Sequence, residues 1–369
     1  MKKTLALLLS LALVLLLMVG CSSNTPVQGS KDEPGDVVEV VGENEGAAAK
    51  MGLGVITSIA KSKDADDNNT LALGQVDTVM VAASFDQEGK VVSITIDNAQ
   101  TRVNFDADLK VTNDKAAEIK TKIELGDAYG MINASEIGKE WYQQIDELEN
   151  WMVGKTVAEI KAMNVKEVDA SHPAVPDVPE LTSLVTISIQ DYVAALEKAF
   201  ANAIEVEGAE KLGLGHVVSI GKSKDYSVDA DGNETLPLAQ VDTVMAATAF
   251  DTDGKVVGTI IDNAQTRINF DAEGKVTSDK AAEFKTKIEL GDAYGMINAS
   301  EIGKEWYQQI AELEKWMVGK TVAEIKAMNV KEVDDSHPAV PDVPELTSLV
   351  TISVQDYIAS VEEAFTNAK

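Results

Sequence analysis

The sequence predicts an α+β fold made of two tandem copies of one small module, with an antiparallel sheet first and helices after it. The first observation behind this is repetition. From about residue 51 the chain restates itself: "LALGQVDTVM" at Leu71–Met80 matches "LPLAQVDTVM" at Leu236–Met245. "KTKIELGDAYGMINASEIGKEWYQQI" at Lys120–Ile145 recurs unchanged at Lys285–Ile310. The second is periodicity, which runs at two in the first half of each copy and near 3.6 in the second. The third is size. Each copy spans about 150 residues, enough to bury a core, which predicts two beads rather than a solenoid.

The elements follow in order. The first residues, "MKKTLALLLSLALVLLLMVGC", place two lysines before an apolar run, the layout of a signal peptide over residues 1–20. The ending "LMVGC" resembles a bacterial lipobox, which implies cleavage before Cys21 and lipidation of its thiol. Cys21 is the only cysteine, so an internal disulfide, a cysteine zinc site and a Cys-x-x-Cys redox pair are all excluded. Residues 21–50 are rich in Ser, Pro, Gly and acids and read as a disordered acidic tether. Module 1 is then expected at 51–203 and module 2 at 204–369.

Within module 1, "GLGVITSIAKSKDA" and "GQVDTVMVAASFD" read as strands, with Val79, Val81, Ala83 and Phe85 on one face of the second. "FDQEGKVV" is the turn into a third strand that carries Val92, Ile94 and Ile96. Its apolar phase then slips to Ala99, Val103 and Phe105, which predicts a bulge near Asp97–Asn98. Ile137, Trp141, Ile145, Leu148 and Met152 share a helical face. "GKT" ends that helix, and Thr156 with Glu159 forms a capping box for a short helix to Met163. "SHPAVPDVPE" is an extended Pro-rich loop. Ile189, Tyr192, Val193, Leu196 and Phe200 mark a closing amphipathic helix, with Ser188 and Asp191 as its start signal.

The formal net charge of −29 argues against nucleic acid as a partner. Turnover motifs are missing: there is no Gly-x-Ser-x-Gly elbow, no His-Glu-x-x-His and no complete phosphate-binding Gly-Lys-Ser/Thr loop. The expectation is therefore a chain that is not an enzyme, at most a redox carrier. His172 and His337 stand beside acids in the Pro-rich loops, a poor metal set, and no metal is expected. His216 has Val55 as its counterpart and cannot serve a mechanism shared by both copies. "DADGNE" at Asp229–Glu234 reads as a polar turn. Tyr129, Met131, Trp141 and Tyr142 offer aromatic surface for a planar ring, although the spacing of Trp141 assigns it to the core.

The duplicated "PELTSLVTIS", at Pro179–Ser188 and Pro344–Ser353, precedes the closing helix. It reads either as a short buried strand capped by Thr and Ser, or as a site where a helix start favours a phosphate. With its strand pair, Gly-Lys turn, helices and this stretch, the module resembles the FMN-binding domain of bacterial exported flavoproteins. That family often occurs as tandem copies on a lipoprotein involved in extracellular electron transfer. The resemblance implies that a flavin transferase joins FMN to the last Thr of an Asp-x-x-Ser/Thr-Gly-Ala-Thr motif. The matching positions here are Glu180, Ser183 and Thr186, and Glu345, Ser348 and Thr351. Leu184-Val185 and Leu349-Val350 stand where the motif has Gly-Ala. The resemblance thus implies a lipid-anchored protein on the extracytoplasmic face of the cell membrane. FMN would sit at Thr186 and Thr351, supported by Ser183, Ser348, Glu180 and Glu345, with a redox partner nearby. A cofactor-free surface-binding or spacer lipoprotein is the alternative.

Overall fold

A computed structural model describes residues 47–369. The leader, Cys21 and nearly all of the tether lie outside the described residues. Among the described residues no helix is long and apolar enough to cross a membrane.

The α+β class is as expected. Module 1 opens with the strands β1 (Lys50–Ser58), β2 (Leu73–Phe85) and β3 (Val91–Asn104), which pair antiparallel in sequence order. Then come α1 (Lys122–Leu125), a 3-10 turn over Gly126–Tyr129, α2 (Trp141–Met152) and α3 (Val157–Lys161). The short strands β4 (Val165–Lys166) and β5 (Val175–Pro176) pair across the Pro-rich loop, and α4 (Gln190–Ala201) closes the module. A short β6 (Ile204–Glu205) adds to the edge of β1.

Module 2 follows the same order, with one added hairpin after its first strand. It has β7 (Lys211–Ser219), a β8 (Ser227–Val228) and β9 (Glu234–Thr235) hairpin, β10 (Leu238–Phe250) and β11 (Val256–Asn269). After them come α5 (Lys287–Leu290), a 3-10 turn over Gly291–Tyr294, α6 (Trp306–Met317) and α7 (Val322–Lys326). Strands β12 (Val330–Lys331) and β13 (Val340–Pro341) and helix α8 (Gln355–Thr366) complete it. Its sheet order is β11-β10-β7.

Each sheet is covered by helices on one face. In module 1 Val79, Val81, Ala83 and Phe85 of β2 pack with Trp141, Ile145, Leu148, Tyr192 and Leu196. The close approach of α4 to β1 depends on glycine: a Cβ at Gly54 would lie 1.8 Å from the carbonyl oxygen of Ala195. The other sheet face has the opposite parity. Met51, Leu53, Val76, Met80, Ala99 and Val103 meet Leu212, Leu214, Val241, Met245 and Ile268 of module 2 in a third core. Phe105 and Phe270 make an edge-to-face contact within it, with centroids 5.1 Å apart. The copies are therefore joined in one compact unit rather than standing as separate beads.

This shared core also corrects the expected bulge. The β2/β3 register runs without interruption from Leu73↔Asn104 to Ser84↔Ser93, and its only irregularity lies between Ser84 and Phe85. The apolar set of β3 changes face because both faces are buried, against different partners. Ile94 and Ile96 face the helices, while Ala99, Val103 and Phe105 face the other sheet. A strand covered on both sides needs no distortion to change its apolar phase.

Candidate functional site

The stretch Pro179–Leu184 is a run of turns, and Val185 and Thr186 follow it without forming the short strand considered from sequence. The amides of Leu181 and Thr182 both donate to Val178 O, and those of Leu184 and Val185 both donate to Leu181 O. Leu181 and Val185 fill the core, being 1% and 0% exposed. This forces the chain into coils around two apolar anchors. Glu180 and Ser183 are exposed and make no side-chain hydrogen bond among the described residues, and the same holds for Glu345 and Ser348. Ser188 is not the helix cap. The N-cap of α4 is Ile189, without a side-chain cap bond. The Ser188 hydroxyl instead accepts the Ala174 N–H at 3.2 Å and ties down the Pro-rich loop.

Thr186 is half-buried and held twice. Its N–H donates to Gln144 Oε1 at 2.9 Å and its hydroxyl donates to the same atom at 3.3 Å. Gln144 on α2 is fully buried and donates through Nε2 to Ser135 Oγ at 3.2 Å and Lys139 O at 3.4 Å. One turn earlier, the Glu140 carboxylate accepts the N–H groups of Met131 and Ile132 at 2.8 and 2.9 Å. Together Glu140 and Gln144 pin the loop "MINASEIGK" to the start of α2. Module 2 repeats this set with Thr351 on Gln309 and Glu305 on Met296 and Ile297. Glu140 and Gln144 carry no sequence signal of this role, because they look like ordinary polar residues of an amphipathic helix.

The chemistry of this donor set bears on a phosphate-bearing cofactor. The amides of Leu184, Val185 and Thr186 are already bonded, and Glu180–Ser188 holds no cation. A phosphate here would have to meet hydroxyl oxygen rather than backbone amides or a cation, and the half-buried Thr186 hydroxyl is held in place by Gln144.

Trp141 is core, 2% exposed, and donates from Nε1 to the Tyr192 hydroxyl at 2.9 Å. Tyr142 reaches Asp127 and Tyr129 reaches Gln100. Lys122 at the start of α1 is 8% exposed, with Nζ 4.8 Å from the Tyr129 ring centroid and 5.1 Å from that of Trp141. Burial pushes its ammonium down to about 8.

His172 and His337 each pair with the aspartate three residues earlier, Asp169 and Asp334. His216 on β7 is different. It is 9% exposed, and its Nδ1 lies 2.8 Å from Glu363 of α8, while Nε2 lies 3.2 Å from Glu124 of module 1. The two carboxylates flank opposite ring nitrogens, which suits a bridging imidazolium. Burial opposes its charge, but the contacts with Glu124 and Glu363 and the charge of Asp97 outweigh burial and raise it to about 10.

No family model and no solved structure matches the chain. It is similar to a chlorophenol reductase of Desulfitobacterium hafniense, 34% identical over 123 residues, covering 30% of this chain and 35% of the relative. The chain thus spans about a third of that curated relative's length. This match overturns the expectation that the chain is not an enzyme, because the relative bears an enzyme's name. Catalytic motifs are a weak guide to enzymes in which a bound cofactor carries the chemistry.

Proposed function

We propose that this chain is an extracytoplasmic redox protein of reductase type, anchored by a lipid on Cys21, with one FMN held in each module. Thr186 and Thr351 hold the FMN phosphate, and Ser183, Ser348, Glu180 and Glu345 line the exposed rim beside it. The observation that carries this reading is the doubly held threonine. In both modules it is the one hydroxyl of Glu180–Thr186 or Glu345–Thr351 that is bonded to a fully buried glutamine. FMN supplies reversible uptake of electrons, while the protein fixes its position and surroundings. The name of the reductase relative supports a reductive role. A flavin transferase and a redox partner are the proteins it would meet.

A second reading rests on Val185 and Val350, which are fully buried where the family motif has a small residue. Side chains committed to the core favour cofactor-free modules that bind or space envelope components. Titrating FMN against the colourless chain, followed by flavin fluorescence, separates the two. Saturable binding near two per chain supports the flavin reading. Failure to bind FMN, together with a colourless product from cells containing the transferase, overturns it.

A further inference from the structure

The chain contains only two arginines, Arg102 and Arg267, and they occupy the same place in the two modules. Arg102 lines a cavity of about 330 Å³ with Gln100, Lys120, Lys122, Leu125, Ala128 and Tyr129. Among the described residues no carboxylate lines it, in a chain of net charge −29. Module 2 carries the identical residues Gln265, Arg267, Lys285, Lys287, Leu290, Ala293 and Tyr294.

Three features make this a built site. Lys122 and Lys287 are each 8% exposed, and neither side chain has a hydrogen bond or an ion pair among the described residues. Burial of each ammonium outweighs Asp77 and Asp97 (Asp242 and Asp262 in module 2), which favour its charge from beyond ion-pair distance, and the aromatic faces beside it offset only part of that cost. Second, Arg102 is oriented by a neutral group. Its Nε donates to Gln75 Oε1 at 3.1 Å, and Gln75 is itself fixed through Nε2 on the Asp77 carboxylate. Among the described residues the outer guanidinium N–H groups have no partner, and Asp77 bonds to Gln75 rather than to the guanidinium. Arg267, Gln240 and Asp242 repeat the arrangement, with Nε to Oε1 at 3.0 Å. Third, Gln100 lines the cavity and accepts the Tyr129 hydroxyl through Oε1 at 3.3 Å, while its amide N–H groups have no hydrogen-bond partner among the described residues.

We propose that each module has an oxyanion-binding pocket, in which Arg102, Lys120 and Lys122 (Arg267, Lys285 and Lys287 in module 2) hold the carboxylate or phosphate monoester group of a small organic ligand. The guanidinium fork matches either group, and the lysines add point charges. The volume exceeds what a bare ion needs and suits a compact body attached to it. The acidic surface repels anions at long range, so recognition acts inside the pocket, where charge is least screened. The inference does not depend on FMN at Thr186.

The test uses the full mature chain made without any flavin transferase, so that the flavin reading is not engaged. Phenyl phosphate and benzoate are titrated by calorimetry, with benzyl alcohol as the neutral control. Saturable binding of either anion near two per chain, weakening as salt rises, is expected, and the anion that binds tighter identifies the group. The paired variants Arg102→Gln/Arg267→Gln should weaken binding about tenfold or more. Lys122→Met/Lys287→Met should weaken it while raising the melting temperature, whereas a purely structural lysine would lower that temperature when removed. The exposed Lys224→Gln should leave affinity unchanged. No saturable binding of either anion, equal binding of benzyl alcohol, or undiminished affinity in both paired variants overturns the proposal.

Discussion

Replacing His216 with valine, the residue that module 1 has at Val55, tests how the modules are joined. The two halves solve the same contact differently. On one side Lys198 of α4 reaches Glu289 of α5 at 2.6 Å. On the other, Glu363 stands where the lysine would be and faces Glu124, with His216 between them. The folded imidazole is raised to about 10, against an unfolded value of 6.5. A raised histidine contributes its stability fully below about pH 6.5 and loses it as pH rises through about 10. Linkage gives about 4 kcal/mol at pH 7 and about 1 kcal/mol at pH 9.5 as upper values, since both glutamates keep some contact with water. Urea unfolding of wild type and His216→Val across this range is the assay. The destabilisation should shrink severalfold from pH 7 to pH 9.5. Adding Glu363→Lys to the valine variant should restore much of the loss by recreating the lysine–glutamate arrangement of the other side. A destabilisation that is independent of pH, with no rescue by Glu363→Lys, would refute the imidazolium bridge.

Three further outcomes follow from the same structure. Glu314 accepts the Ile261 N–H at 2.7 Å, and burial pushes it up to about 8, whereas Glu149 at the matching place has Lys369 Nζ at 2.8 Å. A raised carboxyl destabilises as pH climbs from about 4.5 to about 8, so Glu314→Gln should stabilise at pH 8 by about 2–3 kcal/mol and little at pH 4, read by denaturant midpoints. Gly54→Ala places a Cβ against the backbone of α4 and should cost about 3 kcal/mol in the same assay; a neutral result would mean that the helix can shift freely. Gln144→Ala removes the acceptor of Thr186 and the donor to Ser135 and Lys139, and should cost about 2–3 kcal/mol, with a loss below about 0.5 kcal/mol contradicting the buried network.

What the sequence disclosed was local. The strand faces of β2, the helix α2 and the Thr156–Glu159 cap are set by neighbours within a few residues and were readable by period and spacing. The second face of β3 was not, because its partner is another sheet more than a hundred residues away. Ser188 satisfied the pattern of a cap, yet the Ala174 amide competed for its hydroxyl, a loop contact that no spacing rule contains. Thr186 stood out by its place before a helix start, while Ser183 and Glu180 could be singled out only through resemblance; the unequal exposure of the three needed coordinates. Arg102 was readable in principle, because a residue type used twice in the chain at matching places is a signal that helix and strand periods ignore.

The flavin content of the mature chain, produced together with a flavin transferase, tests the central claim most directly. Intact mass and the visible spectrum should show two FMN per wild-type chain, one in Thr186→Ala or Thr351→Ala, and none in the double variant. An unmodified, colourless wild-type chain that also fails to take up added FMN, or flavin loading unchanged by either substitution, would contradict it.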